Sequence, residues 1–298
     1  MKHVRWVFET ALFILISLPL AVLPYRVSLK AGQLLGLLLF YLWGSRRRIA
    51  IENLRNSISA KAIVISEPAE KIIRNNFKNL GKSFAEAIKI YYGLGRKIIN
   101  SVEIEGVENF HEAKSKGKGI LLLTGHCGNW ELMGIVTSVK LADVAIVARP
   151  IDNPYINNFI EYMRKSYGNS IIYKRGALKP ILQILKGNGC AGILMDQAVI
   201  PDEGYVIDFL GRGAWTTKVP ALIARKTGAA VLPVFINRTH EGHRMKIYQE
   251  IELSNSDDRE SAVKEDTKKF SGFIEKYIIE HPAEWLWIHR RWKRTGPT

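Results

Sequence analysis

The 298 residues carry 43 lysines and arginines against 28 acidic residues, a formal net charge of +15, with 47% hydrophobic and 24% charged side chains. That balance excludes a disordered chain, and the length allows a sizeable core, long for one domain but compatible with one. The charge excess favours a polyanionic partner, whether nucleic acid, an anionic membrane surface or an acidic carrier protein, without choosing among them.

Residues 7–23 are apolar apart from Glu9, Thr10, Ser17 and Pro19, about the minimum length that spans a bilayer. A second apolar run, 34–43, follows Arg26 and Lys30. Lys2 and Arg5 precede the first run as in a secretory signal, but no small-x-small cleavage site follows, and the next residues are Pro24-Tyr25-Arg26. The expectation is an uncleaved anchor over residues 1–45, either a hairpin of the two runs or a helix lying in the interface. Two buried helices of a soluble core are the alternative. Basic residues on both flanks, Arg46-Arg47-Arg48 among them, leave orientation undecided.

Residues 46–100 read as helical, with Ile72, Ile73, Phe77, Leu80, Phe84, Ile88 and Tyr91 spaced by threes and fours over 70–92. Beyond 102, short apolar runs at 120–123, 144–147, 170–173, 190–195 and 231–236 predict strands. Amphipathic stretches at 130–139, 154–167, 178–185 and 217–227 predict the helices between them. Residues 244–253 alternate, as an exposed-edge antiparallel strand would, and 261–279 read as a last helix. The fold class is α/β: a largely parallel central sheet flanked by helices over 46–298, behind the N-terminal hydrophobic helical region.

The segment that carries chemistry is Thr124-Gly125-His126-Cys127-Gly128-Asn129-Trp130-Glu131. A strand running into a glycine-flanked turn presents a polar side chain at the carboxyl edge of the sheet, where ligands usually bind. His126 is the natural general base, since its unperturbed pKa lies near neutrality. Within one helix a separation of five turns two side chains roughly 140° apart. Glu131 therefore meets His126 only if the histidine sits in the turn and the carboxylate in the first helical turn, where it would fix the imidazole tautomer. Amides at the start of that helix are expected to stabilise an oxyanion. Cys127 is not expected to be a nucleophile, because neighbouring side chains on extended backbone point to opposite faces. With Cys190 it makes a pair far apart in sequence and without zinc-site spacing, which fits a reducing compartment and no disulfide framework.

Several blocks, taken in order, carry a resemblance: Arg48-Ile49-Ala50-Ile51-Glu52-Asn53-Leu54, then Gly125 to Glu131, Ala148-Arg149-Pro150 with Asn153-Pro154, Asp196-Gln197, Phe209-Leu210-Gly211 through Thr216, and Pro282 through Lys293. Together they resemble the bacterial lipid A late acyltransferases, the lauroyl- and myristoyltransferase family, within the wider glycerolipid acyltransferases that carry His-x4-Asp/Glu. The resemblance implies transfer of a fatty acyl chain from acyl-acyl carrier protein to a hydroxyl on an acyl chain of a lipid A precursor. It also implies an inner-membrane location with catalysis at the cytoplasmic face, no cofactor and no metal. By the matching motif His126 is the base and Glu131 its partner, with functional roles for Arg164 and Asp196. Some members continue the Asp196 block with a second aspartate where this chain has Ala198, which confines Asp196 here to substrate positioning or structure.

Arg149, at a predicted strand end, is suited to hold a phosphate through its planar fork of donors, or simply to make a surface salt bridge. Arg164 lies beside Lys165 and is read either as substrate-binding or as part of a solvated face. The tail 289–294, interleaved with Trp287 and Trp292, is expected to contact anionic lipid head groups. No nucleic-acid recognition motif is present. Two rivals remain: an acyl-CoA-dependent acyltransferase of another glycolipid, such as a phosphatidylinositol mannoside, and a membrane-tethered binding protein without catalysis.

Overall fold

The apolar N-terminus forms two helices, α1 (Lys2–Val22) and α2 (Tyr25–Leu42), with Pro24 at the junction starting the second afresh. The structure, a computed structural model, describes residues 2–174 and 176–295. α1 is long and apolar enough to cross a membrane, and it leaves Val4, Phe8, Leu12 and Leu15 exposed. Leu34, Leu38 and Leu42 continue the exposed apolar surface along α2 at helical spacing. A patch of that kind marks a membrane or partner surface, which makes α1 a candidate membrane anchor.

α3 (Gly44–Ser59) leaves α2 at 91°. The other face of α2, with Ser28, Gly32, Gly36 and Phe40, is buried against α4 (Ala69–Tyr91). There the backbones touch: a Cβ on Gly32 would stand 2.4 Å from the Gly81 carbonyl oxygen, and one on Gly81 2.0 Å from that of Gly32.

After α5 (Arg96–Asn100) strands and helices alternate: β1 (Glu103–Glu105), α6 (Val107–Ser115), β2 (Ile120–Thr124), α7 (Trp130–Lys140), β3 (Val144–Ala148), α8 (Pro154–Ser166), β4 (Ser170–Tyr173), α9 (Leu178–Lys186) and β5 (Cys190–Leu194). A separate hairpin follows, β6 (Gly204–Phe209) with β7 (Arg212–Thr217). Then come α10 (Val219–Thr227), β8 (Ala230–Arg238), β9 (His243–Ile247) and α11 (Arg259–Glu280). The main sheet runs β1-β9-β8-β2-β5-β3-β4, with only the β8–β9 pairing antiparallel. Its central strands are buried on both faces: Leu121, Leu123, Ala191 and Ile193 join one core, while Ile120, Leu122 and Cys190 join the other. That is why their sequences read as continuous apolar runs rather than alternating ones.

Two expectations need correction. Residues 244–253 do not form an edge: β9 is antiparallel to β8 but stops at Ile247, and β1 covers its far side. Three-residue β1 is too short to leave a periodic signal in sequence. The C-terminal tail is not chiefly a lipid contact either, since Trp285, Trp287, Trp292 and Arg291 are buried. Asn53 of α3 donates to the carbonyls of Trp287 and His289, both at 2.9 Å, and Asn76 of α4 to those of Ala283 (3.0 Å) and Trp285 (2.7 Å). Arg291 donates to the Trp215 carbonyl (2.6 Å) and the Thr216 hydroxyl (2.5 Å). Backbone carbonyls drawn into the interior need such partners. The blocks around Asn53, Thr216 and Trp285, far apart in sequence, thus meet in one place.

Candidate active site

β2 and β5 are parallel neighbours in which Thr124 pairs with Leu194 at the carboxyl end. Two residues beyond each paired end stand His126 and Asp196. Equal overhang from registered strands brings the two side chains together. Asp196 Oδ1 lies 2.8 Å from His126 Nδ1, and Oδ2 accepts from the His126 backbone N–H (2.9 Å) and from Trp285 Nε1 (2.8 Å).

Burial alone would raise the Asp196 pKa, but the His126 charge and these three donors hold it well below the usual carboxylate range. Burial likewise works against a charged His126, yet the Asp196 carboxylate and, at longer range, Glu131 raise its pKa above the ordinary value. An ionised acceptor on Nδ1 fixes the proton there and leaves the lone pair on Nε2. Trp130 meets the imidazole ring edge-on at 5.3 Å, and the Gln197 amide nitrogen stands 3.2 Å from Nε2.

Glu131 is therefore not the residue that fixes the tautomer. It sits in the first turn of α7, turned toward α8 and α4, where it accepts from Arg164 Nε (to Oε2, 3.1 Å) and Nη2 (to Oε1) along one guanidinium edge, and from the Tyr91 hydroxyl at 2.5 Å. Arg164 is accordingly no solvated-face residue: burial opposes its charge, but Glu131 keeps the guanidinium firmly protonated. Asp196, expected to position substrate or to serve structure, is buried behind the imidazole and hydrogen-bonded to its Nδ1.

The turn itself is clamped. The amides of Cys127 and Gly128 donate to the carbonyls of Gly125 (2.8 Å) and Glu284 (2.9 Å), and the His126 carbonyl accepts from Leu286 (3.1 Å). With His126 N–H on Asp196, the amides of His126, Cys127 and Gly128 are committed within the fold rather than open to an oxyanion. Gly128 has φ +57°, and a Cβ there would lie 1.8 Å from the Ile236 carbonyl oxygen, so only glycine fits. Cys127 is buried, and burial pushes its thiol well above the ordinary range, which agrees with its exclusion as a nucleophile.

Asn129 caps α7 by accepting from Leu132 N–H (3.2 Å) and donates to Glu86 (2.8 Å). Fully buried Glu86 also accepts from Nη1 and Nη2 of Arg238 (2.6 and 2.7 Å) and from the Tyr25 hydroxyl (2.7 Å). Burial opposes its ionisation, but Arg238 and His243 hold its pKa well below normal. A buried ionic cluster thus ties α2 and α4 to the end of the turn that carries His126. Sequence reasoning missed Glu86, Arg238, Tyr91 and Gln197, because each acquires its partner only through tertiary contact. Arg149 stands exposed past the end of β3, with no side-chain hydrogen bond or ion pair among the described residues.

The model of the family described as bacterial lipid A biosynthesis acyltransferase matches residues 2–294. The chain is 26% identical over 277 residues to the lipid A biosynthesis palmitoleoyltransferase of Escherichia coli (strain K12), covering 91% of this chain and 86% of that protein. It is also 26% identical over 277 residues to the lipid A biosynthesis lauroyltransferase of the same organism, covering 91% and 87%. To the phosphatidylinositol mannoside acyltransferase of Mycolicibacterium smegmatis it is 23% identical over 248 residues, covering 81% and 79%.

Proposed function

The chain belongs to the bacterial lipid A biosynthesis acyltransferase family and is an O-acyltransferase, and on that premise we propose that it moves a fatty acyl chain from acyl-acyl carrier protein to a hydroxyl on an acyl chain of a lipid A precursor. The reaction runs at the cytoplasmic face of the inner membrane, with residues 1–45 as anchor and 46–298 as acyltransferase domain. The observation that carries it is the His126–Asp196 pair at the carboxyl edge of the sheet, with a side chain of His126 that is still 21% exposed.

His126 Nε2 removes the proton of the acceptor hydroxyl as its oxygen bonds to the thioester carbonyl carbon. The carbonyl electron pair moves onto oxygen. The tetrahedral intermediate then collapses, the C–S bond breaks, and the thiolate takes the proton back from the imidazolium. Ester and free thiol are the products. Asp196 stabilises the imidazolium and holds its orientation, and Glu131 adds negative charge near the ring. Arg164 fixes Glu131 against substrate, while the exposed fork of Arg149 receives a phosphate of the acceptor. The charge of +15 suits both an acidic carrier protein and a phosphorylated lipid.

The test is acyl transfer by the purified full chain from acyl-acyl carrier protein to a lipid A precursor, abolished by His126→Ala. Full activity of that variant sinks the assignment. The mannoside acyltransferase relative supports a second reading, an acyl-CoA donor and a mannosylated phosphoinositide acceptor. Supplying both donors and both acceptors in competition decides between the two.

A further inference from the structure

The reaction needs a donor for the oxyanion, and the amides of His126, Cys127 and Gly128 are already taken by Asp196, Gly125 and Glu284. The side chain that does stand at the reacting nitrogen is Gln197, whose Nε2 lies 3.2 Å from Nε2 of His126. Because Asp196 holds the proton on Nδ1, His126 Nε2 presents a lone pair, so the group of Gln197 facing it is the N–H₂ end of the carboxamide.

We propose that the Gln197 carboxamide is the oxyanion donor of the transfer, capping the base in the resting enzyme and passing its N–H to the thioester carbonyl oxygen when the acceptor hydroxyl takes its place. This rests on the acyl-transfer reading above. A hydroxyl that His126 is to deprotonate must lie about 2.6–3.2 Å from Nε2, which is the place the amide nitrogen occupies. The carbonyl carbon then lies roughly 3–3.5 Å beyond the attacking oxygen, within reach of an amide displaced by a single side-chain rotation. As the carbonyl pair moves onto oxygen, that oxygen accepts the Gln197 N–H. When the pair returns and the thiolate leaves, the donor is released with no proton transferred.

A neutral donor also suits this position. A cation beside Nε2 would lower the basicity of His126, and a carboxylate would hold its proton too firmly. A neutral carboxamide that has passed its N–H to the carbonyl oxygen does neither during the transfer. It lies one residue past Asp196, so the same loop beyond β5 supplies the group that orients the imidazole and the group that faces its reactive side.

Gln197→Met keeps the length of the side chain and removes the donor. The full-length variant is expected to lose about 10²- to 10³-fold in kcat, as removal of an oxyanion donor does elsewhere. KM for donor and acceptor should stay within about threefold, and the acid limb of the kcat profile, which reports the bound complex after Gln197 has left Nε2, should not move. Wild-type kcat overturns the proposal, and so does a loss of kcat accompanied by a shifted acid limb, which would mean that Gln197 only positions His126. Gln197→Glu, nearly the same size, supplies the answer if the Met variant does not fold: it should be at least as inactive, and full activity overturns the proposal. His126→Ala is assayed alongside. An active His126→Ala removes the underlying base assignment, whereas an inactive one beside a fully active Gln197→Met removes only the role given to Gln197.

Discussion

Asp196, seventy residues from His126 in sequence, places a carboxylate oxygen 2.8 Å from its Nδ1, whereas Glu131, five residues away, points to Arg164 instead. The two carboxylates of the site therefore have separate work, one behind the imidazole and one beside it.

Asp196→Asn should keep the packing and lose the charge. The carboxylate raises the His126 pKa, so its removal lowers that pKa, and the acid limb of kcat/KM moves to lower pH. Because the carboxamide also stops enforcing the Nδ1–H tautomer, kcat should fall on the order of 10²- to 10⁴-fold. A pH–rate profile of both proteins checks the two effects separately.

Glu131 and Arg164 should behave as a unit. Glu131→Gln and Arg164→Lys each break a bidentate pair that lysine cannot reproduce. The double variant should be little worse than either single one, with a coupling of about 1–3 kcal/mol in activity or melting. Strict additivity would show that the two do not act through each other.

At Gly128 a methyl group meets the Ile236 carbonyl oxygen at 1.8 Å on a backbone with φ +57°. Gly128→Ala should destabilise the turn by about 3 kcal/mol or more and abolish transfer. Purified yield and thermal melting will report the first effect, and acyl transfer the second.

Glu275 on α11 accepts from the Leu210 backbone N–H at 2.9 Å, and burial pushes its pKa up to about 7. A carboxyl whose pKa rises on folding favours the folded state least once pH exceeds the folded value. Its contribution is fully present below the unfolded pKa and lost as pH climbs through 7. Glu275→Gln retains an acceptor for Leu210 and cannot ionise. It should raise Tm at pH 8 by roughly 2–4 °C, for about 1 kcal/mol, and leave Tm unchanged near pH 4. An equal shift at both values would refute the titration account.

Phe8 and Leu15 are exposed on α1. Burial of each in a bilayer would contribute about 1.5–3 kcal/mol. Phe8→Asp combined with Leu15→Asp should abolish flotation with phosphatidylglycerol vesicles while leaving Tm unchanged. Undiminished flotation would remove α1 as the anchor.

The amino-acid sequence alone determined the α/β class, because four- and six-residue apolar runs separated by amphipathic segments have few ways to bury themselves other than a parallel sheet covered on both faces. It also located His126, since a glycine-flanked histidine after such a run stands at the carboxyl edge whatever surrounds it. It did not reveal the hairpin β6–β7, nor that Trp287 and Trp292 lie inside rather than at a lipid surface.

The partner of His126 was decided by tertiary structure. Glu131 was the nearer carboxylate along the chain, but distance in sequence says little where a turn enters a helix and successive side chains rotate by about 100°. The register of β2 on β5 set Thr124 opposite Leu194, and the two residues beyond each pairing brought histidine and aspartate into contact. Register is a property of two strands packed in one sheet, and neither strand carries it alone.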